Sequence, residues 1–402
     1  MGLCSCRNIG IFWSCIILGV SYFLYTPVPD GFSEPWKLRT MLATLKAVGL
    51  LGAVSEKLGY DSSLNITRKF IQLSVASEIF SKNDPELEVI DTLFDGIPVR
   101  IYKPVNIKTP AAGLVFYHGG GWVMMSIDSY DIFTSLLAKK ANIIVISVEY
   151  RLAPEHPFPI PFNDCVTATI HLLQNSEKYG IDPNRVAVGG DSAGGNIAAV
   201  IAMKLRDTNQ KPAIKNQILI YPVLQYCDWH LPAYSTAVVL FTRSEKGSFF
   251  RAYANLSESF KPVLAKEEFI SKEVRDKCKK MVDFNLLPES FVPEGYKQTD
   301  FYAPYSQSED FVKAQKMLVN PYMFPMMSHN LQNLPDTVIL SVEYDTLRDE
   351  NIIFASRLKS AGNRVLWKHY KYGIHGCINL LDDFSVGREL ADDVVDYIRK
   401  HV

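Results

Sequence analysis

Apolar and polar positions change rhythm several times along the 402-residue chain, and each change predicts a different kind of element. Residues 9–25 form an uncharged apolar run of about 17 residues, the lower limit for a helix that spans a bilayer. Pro27 and Pro29 separate it from the next segment. From residue 87 the pattern turns into strands. Segments 87–94 and 97–103 flank Asp95-Gly96, which predicts a hairpin. Short β-rich apolar runs come next at 114–117, 143–148, 185–189 and 218–221, separated by helix-period segments at 130–140, 164–179 and 193–205. Such alternation predicts a mostly parallel sheet with helices on both faces, and ligands at the carboxyl ends of its strands. After Leu224 the pattern breaks, to resume at 337–342. A gap of about 110 residues is too long to be structureless, so it is expected to carry helices of its own as a lid over 225–335. Its aromatics Phe241, Phe249, Phe250, Tyr253, Phe260, Phe284, Phe291 and Tyr296 either pack as core or line an apolar pocket. A helix at 349–360, a strand at 364–370 and a final helix at about 386–400 close the chain.

Charge gives the N-terminal run a direction. Arg7 and the α-amine precede it and no Lys or Arg comes after it until Lys37. The positive-inside bias therefore predicts a cytosolic segment 1–8, a signal anchor at 9–25, a helical cap segment at 26–86 and a lumenal body at 87–402. Gly19-Val20-Ser21 offers a small-x-small site, so a cleaved signal peptide and a secreted body stay open as the alternative. With Lys plus Arg 42 against Asp plus Glu 43, the formal charge is −1. Nothing draws the chain to nucleic acid, and a neutral substrate is expected. Of seven cysteines, Cys165, Cys227, Cys278 and Cys377 lie in the body, where three pairings are open. No Cys or His spacing suits a metal, and no metal or cofactor is expected. Asn65-Ile66-Thr67 and Asn255-Leu256-Ser257 are glycosylation acceptor sequences, usable on the lumenal side.

The candidate chemistry sits in two glycine-rich segments. Gly190-Asp191-Ser192-Ala193-Gly194-Gly195 fits the G-x-S-x-G elbow, with a strand before it and a helix after it. Gly190 and Gly194 are required where the backbone crowds, and the helix after them aims its amide end at developing negative charge. His118-Gly119-Gly120-Gly121-Trp122 supplies further backbone N–H groups for an oxyanion. His118 is expected to hold that loop through its ring. A serine nucleophile needs an imidazole and a carboxylate, which come after it in the order acid then histidine. Asp345, just past the strand at 337–342, and His375, after the next strand, are the candidates. Asp349 and His369 compete, the first as a helix cap and the second as a packed strand residue.

At these residues the chain resembles the hormone-sensitive-lipase-type α/β-hydrolases, and among them the arylacetamide deacetylase-like proteins. The likeness includes the N-terminal run with Tyr25-Thr26-Pro27-Val28-Pro29-Asp30, the HGGGW segment, Tyr150-Arg151-Leu152-Ala153-Pro154-Glu155, the elbow, Tyr344-Asp345-Thr346-Leu347-Arg348-Asp349 and Gly373-Ile374-His375-Gly376. The resemblance implies an α/β-hydrolase fold and a single-pass, lumenal serine hydrolase of the endoplasmic reticulum membrane. Its substrates would be small apolar esters or amides, its triad Ser192, Asp345 and His375, and its oxyanion donors Gly119, Gly120 and Ala193. Departures bear on substrate: Met125 stands where relatives often have glycine. Val123 and Val342 stand where relatives have a cysteine pair. A catalytically silent hydrolase fold that binds a lipid or a partner is the alternative function.

Overall fold

The computed structural model describes residues 13–14, 18–28, 31–75, 80–236, 243–298, 301–304 and 306–402. Cys4, Cys6, Arg7, Cys15, Phe241 and much of the 9–25 run lie outside these residues. The chain divides into two compact units, Met1–Ala76 and Ser77–Val402.

In the first unit, residues 18–24 are helical, and helices α1 (Pro35–Lys57) and α2 (Ser63–Val75) form a hairpin through the turn at Leu58-Gly59-Tyr60. Proline in the first turn fits the start of α1, where its missing N–H costs nothing. Gly52 permits the close crossing, because a Cβ there would lie 2.6 Å from Ser63 Oγ. By length and composition α1 is apolar enough to cross a membrane, a property not expected of the helical cap segment at 26–86.

The second unit is built on an eight-stranded sheet in the order β1-β2-β4-β3-β5-β6-β7-β8. β1 (Leu87–Phe94) and β2 (Ile97–Pro104) form the expected hairpin, with Asp95 and Gly96 both at positive φ as a tight primed turn demands. β2 also runs antiparallel to β4 (Ile144–Val148); every later pairing is parallel. β3 (Ala111–Tyr117), β4 and β6 (Asn216–Ile220) are buried at every position, which is why they read as continuous apolar runs rather than alternating ones. Helices α3 (Asp131–Ala141), α4 (Ile160–Asn175) and α5 (Ala193–Asp207) cross between these strands. β5 (Ile181–Asp191) starts earlier than its apolar core suggests, with a register irregularity opposite Ala111 and Gly113.

Between β6 and β7 (Asp336–Tyr344) the chain carries α6 (Arg243–Tyr253), α7 (Lys272–Met281), α8 (Glu309–Leu318) and several shorter turns of helix. This insertion has an aromatic core of its own. Trp122 of the glycine-rich loop stacks on Tyr253 at 4.3 Å, and Tyr226 stacks on Phe250 and Phe324. A disulfide joins Cys227 to Cys278, and Cys165 and Cys377 are free and buried. α9 (Arg348–Ser360), β8 (Val365–Ile374) and α10 (Ser385–His401) complete the fold, with α10 packed on α3 and α9 on β7.

Candidate active site

β5 delivers its last residue, Asp191, to a sharp turn at which Ser192 takes φ +52° and ψ −118° before α5 begins. That conformation is strained for a residue with a side chain, by about 1–3 kcal/mol, and persists only where its surroundings over-determine it. Here the Ser192 amide donates to the Ile220 carbonyl at 2.9 Å, and its own carbonyl accepts from the Val223 amide at 3.1 Å. The flanking glycines are sterically obligatory. A Cβ at Gly190 would stand 2.4 Å from the Tyr117 carbonyl oxygen, and one at Gly194 only 1.9 Å from it.

Asp345 lies one residue past β7 and His375 one residue past β8, so adjacent parallel strands carry both to the rim where β5 ends. His375 Nδ1 lies 2.8 Å from Asp345 Oδ2, and His375 Nε2 lies 2.8 Å from Ser192 Oγ. Asp345 Oδ1 accepts from the Leu347 amide, which fixes the carboxylate plane. With the Nδ1 proton donated to the carboxylate, Nε2 keeps a lone pair for the serine hydroxyl. All three side chains are buried. The competitors have other partners: Asp349 accepts from Arg348 Nε and from the Ala233 amide, and His369 lies within β8 between Ser341 and Glu343.

The glycine loop corrects one expectation. The amide of Gly119 donates to Tyr130 Oη at 3.0 Å, so it is already engaged and is not free to serve an oxyanion. The amides of Gly120, Gly121 and Ala193 have no acceptor among the described residues. Gly120 (φ +102°) and Gly121 (φ +61°) adopt conformations that side chains resist, and a Cβ at Gly120 would lie 2.2 Å from the Met124 carbonyl oxygen. Gly121 lies under the ring of Phe249 from α6. His118 braces the loop: its Nδ1 is 2.8 Å from the Gly119 carbonyl, and its ring stacks on Tyr150 at 4.2 Å. Burial pulls its pKa down to about 4, so the ring is neutral and donates from Nδ1.

Sequence reasoning missed Tyr130, Asp191 and Asn379. Tyr130 Oη donates to Asp191 Oδ2 at 3.0 Å while accepting from Gly119 and from Asn379 Nδ2. This links the elbow, the glycine loop and the segment after His375. Burial pushes the Asp191 carboxyl up to about 7 despite the Tyr130 hydrogen bond. The signal was available, since a carboxylate beside a buried elbow must find a donor.

Residues 114–282 and 289–379 match the family model described as the alpha/beta hydrolase fold. The chain is 33% identical to arylacetamide deacetylase of Oryctolagus cuniculus, over 96% of this chain and 98% of the relative. It is 32% identical to neutral cholesterol ester hydrolase 1 of Rattus norvegicus, over 97% and 99%. Among solved structures, the Pyrobaculum calidifontis esterase superposes with a TM-score of 0.63 at 27% identity, covering 87% of this chain and 97% of that one. The chain therefore belongs to the α/β-hydrolase family and, within it, to the arylacetamide deacetylase-like group.

Proposed function

We propose that this protein is a serine hydrolase that cleaves carboxylic esters of apolar substrates through an acyl-enzyme. The observation that carries the reading is the unbroken chain Asp345–His375–Ser192 at 2.8 Å and 2.8 Å, on a strained elbow beside three unengaged amides. Ser192 Oγ attacks the carbonyl carbon as His375 Nε2 takes its proton, and Asp345 stabilises the imidazolium. Gly120, Gly121 and Ala193 donate to the oxyanion, each such donor contributing about 3–4 kcal/mol to the transition state. His375 then protonates the leaving oxygen, and water, deprotonated by the same imidazole, releases the acid.

One relative, named for cholesterol esters, supports the ester, and another, named for arylacetamides, supports an amide. Amides are the second substrate class, differing in the need to protonate a leaving nitrogen. The near-zero net charge fits a neutral, apolar substrate. For topology, we propose a membrane anchor at residues 9–25 with residues 87–402 in the lumen of the endoplasmic reticulum and the insertion at about 225–335 as a lid. The Cys227–Cys278 disulfide fits an oxidising compartment, and Asn255, exposed in a turn after α6, is an accessible acceptor for glycan. Asn65, on α2, is the second candidate.

Full-length protein treated with a fluorophosphonate probe and assayed on a panel of acyl esters tests the chemistry. Adduct on Ser192 and turnover of the esters are expected. Folded protein that is neither labelled nor active would instead fit the silent binding module. Protease challenge of intact microsomes tests the topology, because a digested body is a cytosolic body.

A further inference from the structure

Large apolar side chains are exposed unevenly along the chain. The exposed set within residues 13–75 includes Trp36, Leu45, Leu50, Leu51, Val54, Leu58 and Tyr60, whereas the much longer second unit exposes only a scattered few among the described residues. On α1 these positions are ordered, except that Leu45 lies on the opposite face. At roughly 100° per residue, Trp36, Ala43, Ala47, Leu50, Leu51, Val54 and the C-cap Leu58 fall within roughly 100° of the helix circumference. Leu51 is 64% exposed and Leu58 65%. A continuous apolar stripe of this length on a protein surface marks an interaction site.

Three further observations decide what covers it. Arg39, Lys46 and Lys57 lie along one edge of the stripe, while Glu56 turns to the hairpin, where it accepts from the Ser63 amide. The hydroxyls of Thr40, within the stripe, and Thr44, beside it, donate to the carbonyls of Trp36 and Thr40, both at 3.0 Å, so neither needs water. Lys46 Nζ donates to the carbonyls of Phe23 and Tyr25, at 3.1 and 3.0 Å, and the Arg39 guanidinium lies 5.5 Å from the Tyr25 ring and 4.9 Å from that of Trp36. The middle of α1 is thus held level with the end of the first apolar segment. Tyr25 and Trp36, both exposed, meet there through Arg39, as rings of an interfacial belt do.

We propose that α1 is a second, interfacial membrane element, lying along the bilayer surface with Leu50, Leu51, Val54 and Leu58 among the acyl chains and Arg39, Lys46 and Lys57 at the headgroups. An exposed apolar stripe with a basic edge, on a helix whose other side buries Leu38, Leu42 and Val48, can lie at an interface in this way. Its occupant is lipid rather than a second copy of the chain, because Lys46 and Arg39 hold α1 in contact with residues 18–25, which are themselves apolar and largely exposed.

The test uses the full-length protein in phosphatidylcholine vesicles that contain a phosphatidylcholine with a diazirine in its acyl chain. After photolysis, peptides spanning residues 47–58 are expected to carry the carbene adduct. In Leu51→Glu/Val54→Glu protein that adduct should fall several-fold while fluorophosphonate labelling of Ser192 persists, which certifies the fold. Adduct on residues 13–24 but none on 47–58 overturns this proposal alone. Adduct on 47–58 without any on 13–24 supports it and removes the anchor instead. A cross-link between two copies through α1 overturns it in favour of a dimer.

Discussion

At the carboxyl ends of β7 and β8, His375 stands between Asp345 and Ser192; a few residues back along the same two strands, His369 stands between Glu343 and Ser341. The second set is bonded almost as well as the first. His369 Nδ1 is 3.0 Å from Ser341 Oγ and its Nε2 is 2.8 Å from Glu343 Oε2. Yet Ser341 lies inside β7, register-paired with His369 across the ladder and wholly buried, and its hydroxyl oxygen already accepts from Trp367 Nε1 at 2.8 Å. Phe291 covers His369 edge-on at 5.0 Å. We propose that a serine–histidine–carboxylate chain is not a catalytic device by itself. What distinguishes Ser192 is its backbone: a left-handed turn, a helix N-terminus and neighbouring amides with no acceptor among the described residues.

The largest test of that distinction is to remove each serine. Ser192→Ala is expected to abolish fluorophosphonate labelling and lower ester turnover by ~10⁴-fold or more, as losing a nucleophile does. Ser341→Ala should leave labelling intact and turnover within about twofold, since strand positions outside the reacting centre carry little of the barrier. Loss of labelling in folded Ser341→Ala protein would collapse the comparison. Carboxylates come next. Asp345→Asn should cost ~10⁴-fold in kcat, because an amide favours the wrong imidazole tautomer. Glu343→Gln should change kcat by less than about tenfold and act on stability instead, by about 1–3 kcal/mol, read as a lower Tm.

Both histidine clusters hang on strands that the sequence discloses, but their bonding is disclosed only in part. The sheet was legible because its parallel strands are buried on both faces and bounded by helix-period segments, and the order in which Ser192, Asp345 and His375 leave those strands is set by the crossovers. Contacts made by neither periodicity nor motif were not legible. No spacing selects Cys227 with Cys278, whose partners are brought together by the fold of the insertion. Nor does the glycine run reveal that Gly119 spends its amide on Tyr130, a residue that the pattern assigns only to the start of a helix.

A finer test therefore asks which amides make Ser192 special. Tyr130→Phe removes the hydroxyl that holds Gly119 and Asp191 but no amide of the proposed oxyanion site. We expect kcat to fall about tenfold with KM little changed, a loss of positioning below the roughly 10²–10³-fold cost of deleting a donor itself. Gly120→Ala should reach that larger cost, because its φ of +102° and the Met124 carbonyl both oppose a side chain. Equal effects from the two variants would mean that the loop, rather than its amides, is limiting.

The smallest effect compares the acids behind the two serines by the sign of their pH dependence. Burial raises the Asp191 carboxyl from 3.8 to about 7, so its contribution to stability is fully present below 3.8 and is lost as pH rises through 7. For Glu343, burial acts upward, but the hydrogen bond from His369 and the charge of Arg348 outweigh it and hold the carboxyl below its ordinary 4.5. Its contribution is present above 4.5 and is lost as pH falls. Asp191→Asn should consequently gain Tm relative to the parent between about pH 4 and pH 8, by an amount corresponding to a few kcal/mol at most. Glu343→Gln should show its deficit near neutral pH and recover toward acid. Parallel rather than opposed Tm-difference curves would show that the elbow acid is ionised at little cost, and that the two clusters differ in access to amides but not in the charge they bury.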